Sequence, residues 1–475
     1  GPGYNATCEA SRSCHLDLEL SNSGIADDCI GGICYACLHK KLFPLCGDDV
    51  LGVVLLFLGG ILAGASGIGG GGLNVPLMMM SFNFFIEESI PLSHIMVLGN
   101  AFAQNIVNSA RRHPLMKQRP LIDFNVPLLL LPMQLAGNAF GVLFSPVFPS
   151  GLLLILACTI LLVAAVKTLK RGVHDFRQEQ RAPRVGQGSA VLADSGASES
   201  TNTSTKPLSA SAAELPTPLL GADGALPAAA DGRVDMHEPL AKAQPMAPLP
   251  LTADELSAQR RSICLKVFLL FAFWCVFVVV YFGAKYTSDS HCSAAFLSWQ
   301  AALVGAALLS VAPGSALARR SARSQRALEG DIDWSRTLQL GSAVTASFFV
   351  GVVAGLLGLG GGELMAPLLL ALGMRPQVAS ATSGFMILFT ASSNLVHYLS
   401  EGILSPFMDY VLLFLFLGFL SALTGRFTSI FLVGKLHHPS ILVFSLGLLL
   451  VISMGLLIGR SVDDPLEWTF SDLCD

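Results

Sequence analysis

The stretch GASGIGGGGLNVPL, residues 64–77, returns with small changes as GLLGLGGGELMAPL, residues 355–368. Gly64, Gly67, Gly69, Gly70, Gly71, Leu73, Pro76 and Leu77 correspond, with unchanged spacing, to Gly355, Gly358, Gly360, Gly361, Gly362, Leu364, Pro367 and Leu368. Each copy lies in apolar sequence too long for the core of a soluble domain. Matched Gly/Pro interruptions in two hydrophobic halves point to a transporter whose substrate site is built from broken helices.

Composition agrees with that class. The 475 residues are 52% hydrophobic and only 13% charged, about half the charged fraction of a soluble protein. The chain therefore reads as an all-α, multi-pass membrane protein. A net charge of -4, with Lys and Arg in short clusters beside apolar runs, argues against nucleic-acid binding. Walker A, zincin and nucleophile-elbow patterns are missing, and Gly67-x-Gly69-x-x-Gly72 lacks the strand a dinucleotide fingerprint needs. Neither enzyme, cofactor nor metal is expected.

Apolar runs at 50–66, 90–109, 124–145, 149–169, 264–286, 294–318, 335–358, 378–399, 407–432 and 440–459 read as ten long helices. Two shorter pieces, 73–86 and 363–372, follow the glycine phrases. The organisation is a cysteine-rich module at 1–48, a first membrane repeat at 49–170 and a linker at 171–262. An added helix pair with a basic loop follows at 263–333, then a second repeat at 334–460 and a tail at 461–475. The linker is rich in Ala, Ser, Pro and Gly, a composition that cannot offset the entropy of ordering.

Cys8, Cys14, Cys29, Cys34, Cys37 and Cys46 crowd one short segment, the density of a disulfide-stapled module in an oxidising compartment. Cys34, Cys37 and His39 form a weaker zinc alternative. Basic clusters test the topology, because Lys and Arg accumulate on the cytosolic side. With the cysteine module outside, the clusters Arg111–Arg119, Lys167–Arg171, Arg260–Lys266 and Arg319–Arg326 all fall inside only if each glycine phrase turns back as a hairpin. The two repeats are then inverted, and Lys285 is the single exception to the charge rule.

Within this frame, a short helix starting after each glycine turn presents N–H groups and the positive end of its dipole to an anion. Candidate substrate-binding residues are Gly69, Gly70, Gly71, Gly72 and Asn74 in the first phrase, and Gly360, Gly361 and Gly362 in the second. The polar helices that follow add Asn100, Gln104, Asn105, Thr382, Ser383, Ser393 and Asn394. The competing reading of each polar group is an ordinary interhelical hydrogen bond. Glu363 stands where the first phrase has Gly72, so it is either a proton-coupling carboxylate or a charge favourable to its helix terminus. His94 and His397 are further coupling candidates. Arg426 either pairs the anion or snorkels to the interface.

The sequence GLLGLGGGELMAPLLLALGMRPQVASATSGFMILFTASSNLVHYLSEG, Gly355–Gly402, resembles the second motif of the TauE/SafE sulfite exporter family and the Ala-Thr-Ser helix after it. The resemblance covers both repeats and leaves out the cysteine module, the linker and the helix pair at 264–318, additions of a eukaryotic type. It implies a transporter of small sulfur-containing anions of the sulfite, sulfonate, sulfoacetate or thiosulfate class. The expectation is alternating access across a plasma membrane or endomembrane, with protons as a coupling partner. An anion channel, or a receptor or scaffold acting through the cysteine module, are the alternatives.

Overall fold

A computed structural model describes residues 12–16, 28–30, 33–43, 47–144, 147–181, 252–287, 293–324, 332, 334, 336–357, 361–436 and 440–463. Cys8, Cys46, Gly360 and residues 464–475 lie outside them, as does most of the linker, while 461–463 of the segment read as tail continue the last helix. The described residues contain ten long helices and two short ones. In chain order these are α1 (Gly47–Ser66), α2 (Gly71–Phe82), α3 (Ile86–Ala110), α4 (Asn125–Phe144), α5 (Ser150–Arg181) and α6 (Ala253–Thr287). They continue as α7 (Ala294–Ser324), α8 (Thr337–Leu357), α9 (Gly362–Ala371), α10 (Pro376–Ser400), α11 (Met408–Leu436) and α12 (Ile441–Asp463). Helix α5 runs on through Arg181 and α6 begins at Ala253, so both edges of the segment read as linker, 171–181 and 253–262, are helical.

Seven of these helices are long and apolar enough to cross a membrane. Helices α3 and α10, at 25 residues each, have the length but carry too many Ser, Thr, Asn, Gln and His side chains to qualify. Helices α2 and α9, at 12 and 10 residues, reach only about 15–18 Å at 1.5 Å per residue, too little to span. Every long apolar run of the sequence is matched by a helix.

The cysteine module adds a three-stranded antiparallel sheet of β1 (Arg12–Leu16), β2 (Asp28–Ile30) and β3 (Ile33–His39), in the order β1-β3-β2. Its backbone register sets Cys14 opposite Cys37 and Cys29 opposite Cys34; disulfide bonding itself lies outside the described residues. The module's end is pinned to the helices. His39 stacks on Phe84 at 4.2 Å between ring centroids, its Nε2 lies 2.7 Å from the Phe82 carbonyl, and Lys40 pairs with buried Asp49 at 2.6 Å. His39 thus works as an anchor, against the zinc alternative.

Helix α2 folds back along α1. A Cβ on Gly52 would fall 2.6 Å from Phe82, and one on Gly59 would meet Leu73, so the start of α1 lies beside the end of α2. The two repeats then exchange partners: α11 packs on α1, and α4 packs on α8. Both crossings bring backbones together. A Cβ on Gly64 would fall 2.7 Å from the Cα of Ala422, a Cβ on Gly425 would strike the Ile61 carbonyl, and one on Gly355 would strike the Asn138 carbonyl. Gly64 and Gly355, which open the two glycine phrases, are therefore packing residues.

This geometry predicts that Gly425→Val costs at least about 2 kcal/mol, because overpacking here meets backbone rather than a movable side chain. Gly434→Val and Gly455→Val, where a Cβ meets nothing within 4 Å, leave stability unchanged. Thermal unfolding in detergent measures both.

Candidate anion site at the glycine turns

The first phrase leaves the helix at Gly67, Gly69 and Gly70, with φ of 86°, 85° and 81°, a region that only glycine enters cheaply. The Ala63 carbonyl accepts from the N–H groups of Gly67 (2.9 Å) and Ile68 (3.3 Å), which closes α1. Helix α2 then starts at Gly71 with no side-chain cap and no acidic residue in its first turn. Its positive end is therefore aimed into the protein interior. Gly69, Gly70, Gly71, Gly72 and Asn74 are all buried, and no partner meets the Asn74 amide nitrogen.

The second turn comes up against the first. Gly361 precedes α9, again without a side-chain cap, and a Cβ on Gly362 would fall 2.8 Å from the Ile68 carbonyl. Ile387 of α10 packs over both Gly69 and Gly362. The two phrases, distant in sequence, thus meet at one place. Glu363 is the second residue of α9; its side chain lies outside the described residues.

Polar side chains from neighbouring helices hold the turns. Ser383 donates to the Gly67 carbonyl at 3.1 Å, Ser93 to the Gly71 carbonyl at 3.2 Å, and Gln134 to the Gly361 carbonyl at 3.2 Å. Asn105 donates to the Gly384 carbonyl at 2.9 Å, Gln104 donates to Asn100, and Asn138 donates to Asn394 at 2.6 Å. Gln134 and Asn138 were not among the residues singled out in the sequence. Their signal is two amides four residues apart in an otherwise apolar span, interleaved with the packing glycines Gly137 and Gly141.

Arg426 is the largest fully buried side chain, 1% exposed. Nη1 donates to Ser380 Oγ at 2.9 Å and to the Ala65 carbonyl at 3.3 Å, and Ser380 closes directly over Gly67. Among the described residues Nε and Nη2 have no hydrogen-bond partner, and no carboxylate pairs the guanidinium. Arg426 therefore faces the first glycine turn instead of snorkelling. A buried guanidinium with two unfilled donors is costly unless an anion or water completes it.

Other candidates are placed elsewhere or otherwise engaged. Thr382 accepts from the Asp123 N–H at 3.1 Å, and Ser393 accepts from Trp274 at 3.0 Å. His94 is buried, with Nδ1 2.9 Å from the Ile90 carbonyl and Nε2 without a partner. His397 sits near the far end of α10, its Nδ1 2.9 Å from the Tyr281 hydroxyl. Tyr281 donates to Glu401 at 2.7 Å, and Lys285 pairs with Glu401 at 3.0 Å. Lys285, the exception in the charge pattern, is thus neutralised. Burial pushes the Glu401 carboxyl up, but the Tyr281 and Lys285 donors outweigh it and hold the group below the usual range.

A depressed folded-state pKa gives stability that is present above the unfolded value, about 4.3, and lost as pH falls through the folded value. The wild type should therefore lose thermal stability more steeply below about pH 4.3 than Glu401→Gln. Unfolding in detergent at several pH values checks the slope.

The family profile described as Sulfite exporter TauE/SafE matches residues 52–201 and 256–457. This match runs through α6 and α7, the pair that the motif resemblance leaves out. Sulfite exporter TauE/SafE family protein 3 of Arabidopsis thaliana is 27% identical over 410 residues, 85% of this chain and 76% of that protein. Family protein 5 of the same plant is 27% identical over 420 residues, 86% of this chain and 82% of that protein. No solved structure matches. Both halves of the chain, with their glycine turns and the helices that hold them, belong to the sulfite exporter TauE/SafE family.

Proposed function

We propose that this protein is a secondary transporter of a small sulfur-containing anion of the sulfite, sulfonate, sulfoacetate or thiosulfate class, working by alternating access between its two repeats. The observation that carries this reading is Arg426, a buried guanidinium with two donors unfilled among the described residues, set against a turn whose glycines give way to an uncapped helix start. Guanidinium and helix terminus both favour a negative oxyanion, one through directed N–H bonds and the other through its dipole. The names of the matched relatives point to the same chemistry.

The basic clusters support an orientation. Arg111, Arg119 and Lys266 belong to the cytosolic side by the charge rule, which sets the cysteine module outside and makes the repeats inverted. Inverted repeats exchange inward- and outward-facing states by trading the conformations of their halves. The exchanged packing of α11 on α1 and α4 on α8 supports such a motion, since each repeat holds the broken-helix arm of the other. Glu363, one residue after Gly362, is the proposed proton-coupling group.

Reconstituted protein should take up radiolabelled sulfite or thiosulfate saturably. Arg426→Gln, which keeps a donor but removes the charge, should lower uptake about 10- to 100-fold, the range expected for a lost charged hydrogen bond. Full uptake by a monodisperse Arg426→Gln protein contradicts the assignment, and unsaturable current contradicts the transporter. For coupling, Glu363→Gln should flatten the dependence of uptake on pH. An unchanged pH profile with full activity ends that part of the reading.

A further inference from the structure

A cavity of about 880 Å³ lies apart from the glycine turns, between α5, α8 and α9. Its size falls in the upper part of the roughly 300–1,000 Å³ typical of ligand sites. The walls are apolar stripes at helical spacing: Ile160 and Val163 of α5, Phe349 and Val353 of α8, Leu364 and Leu368 of α9. One end differs. Lys167, Lys170 and Arg171 line it, and no acidic residue lines the cavity among the described residues.

The cleft has a structural origin. In the second repeat, α12 packs closely on α1 and α2. The matching helix of the first repeat, α5, leans on α12 instead, with Leu169 against Gly447 and Phe176 6.2 Å from Phe444. Between α5 and the pair α8 and α9, where the corresponding contact would form, the cleft intervenes.

We propose that this cleft binds an anionic glycerophospholipid. An acyl chain lies along the apolar stripes, while the phosphate meets Lys167 and Lys170. The shape of the charge decides the occupant. A small sulfur anion has no alkyl chain to cover the long apolar walls, and a neutral lipid makes no use of two lysines. Flexible Lys side chains at a helix end reach the headgroup level while their stems stay on apolar surface. The bound lipid rests against α9, the short helix that starts at the second glycine turn, but its binding does not depend on the transport reading.

The test uses the full chain in detergent, exposed to equal amounts of phosphatidylserine and phosphatidylcholine, with retained lipid counted by native mass spectrometry. Wild type should retain phosphatidylserine with a preference of about tenfold or more, since each lysine near an anionic headgroup contributes about fivefold. The double variant Lys167→Ala/Lys170→Ala, at exposed positions, should lose the preference. Ala346→Trp should lower phosphatidylserine retention without removing charge, by filling the cleft. Equal retention of both lipids by wild type overturns the proposal, as does a preference unchanged in both variants. Displacement of the lipid by millimolar inorganic phosphate, or a wild-type dimer that Ala346→Trp dissociates, would assign the cleft to another occupant and overturn it too.

Discussion

A chain that leaves helical hydrogen bonding inside a membrane must hand every released N–H and C=O group to another part of the protein. This constraint organises the molecule around Gly67–Gly71 and Gly361–Gly362. The carbonyls of Gly67, Gly71 and Gly361 accept from Ser383, Ser93 and Gln134, each on a different long helix. Those helices must come close for short side chains to reach. The close crossing of α4 on α8 brings Gln134 there, and the packing of α3 on α11 and α10 brings Ser93 and Ser383, with glycines at the contacts. Turn, polar helix and packing glycine are parts of one arrangement.

The same bookkeeping sorts the polar residues of the interior. Asn394 and the amide nitrogen of Asn105 are taken up by protein partners, which is what interhelical hydrogen bonding requires, while Asn105 Oδ1 has none among the described residues. Among the described residues Asn74, His94, Gln104, Gln134 and Arg426 all keep unpaired polar atoms in the interior, and Arg426 is the one of these five that carries a fixed charge. A buried guanidinium left incomplete among the described residues is a place suited to an anion.

Much of this was legible in the sequence. Apolar run length gave the helices, and charge parity gave the hairpins, because a spanning helix and a turned-back one place Arg111 and Arg112 on opposite sides. The three-stranded sheet was not legible, since the cysteine density reported chemistry without periodicity. Gln134 and Asn138 are not marked by the sequence pattern, because their span is otherwise apolar and lies outside both glycine phrases. The direction of Arg426 depends on the rotation of α11 about its axis, which the packing of Gly425 on Ile61 sets. The small residue Ala422, one turn before Arg426, marks that same buried face. The place of α6 and α7 within the family was hidden because they carry no copy of the glycine phrase.

The most direct measurement is an experimental structure of the protein soaked with selenite, a heavier stand-in for sulfite whose anomalous scattering marks its position. An anion held by Arg426 gives a peak within hydrogen-bond distance of Nε and Nη2, beside the turn at Gly67–Gly71. A peak elsewhere, with the Arg426 guanidinium paired to the Glu363 carboxylate, would contradict it.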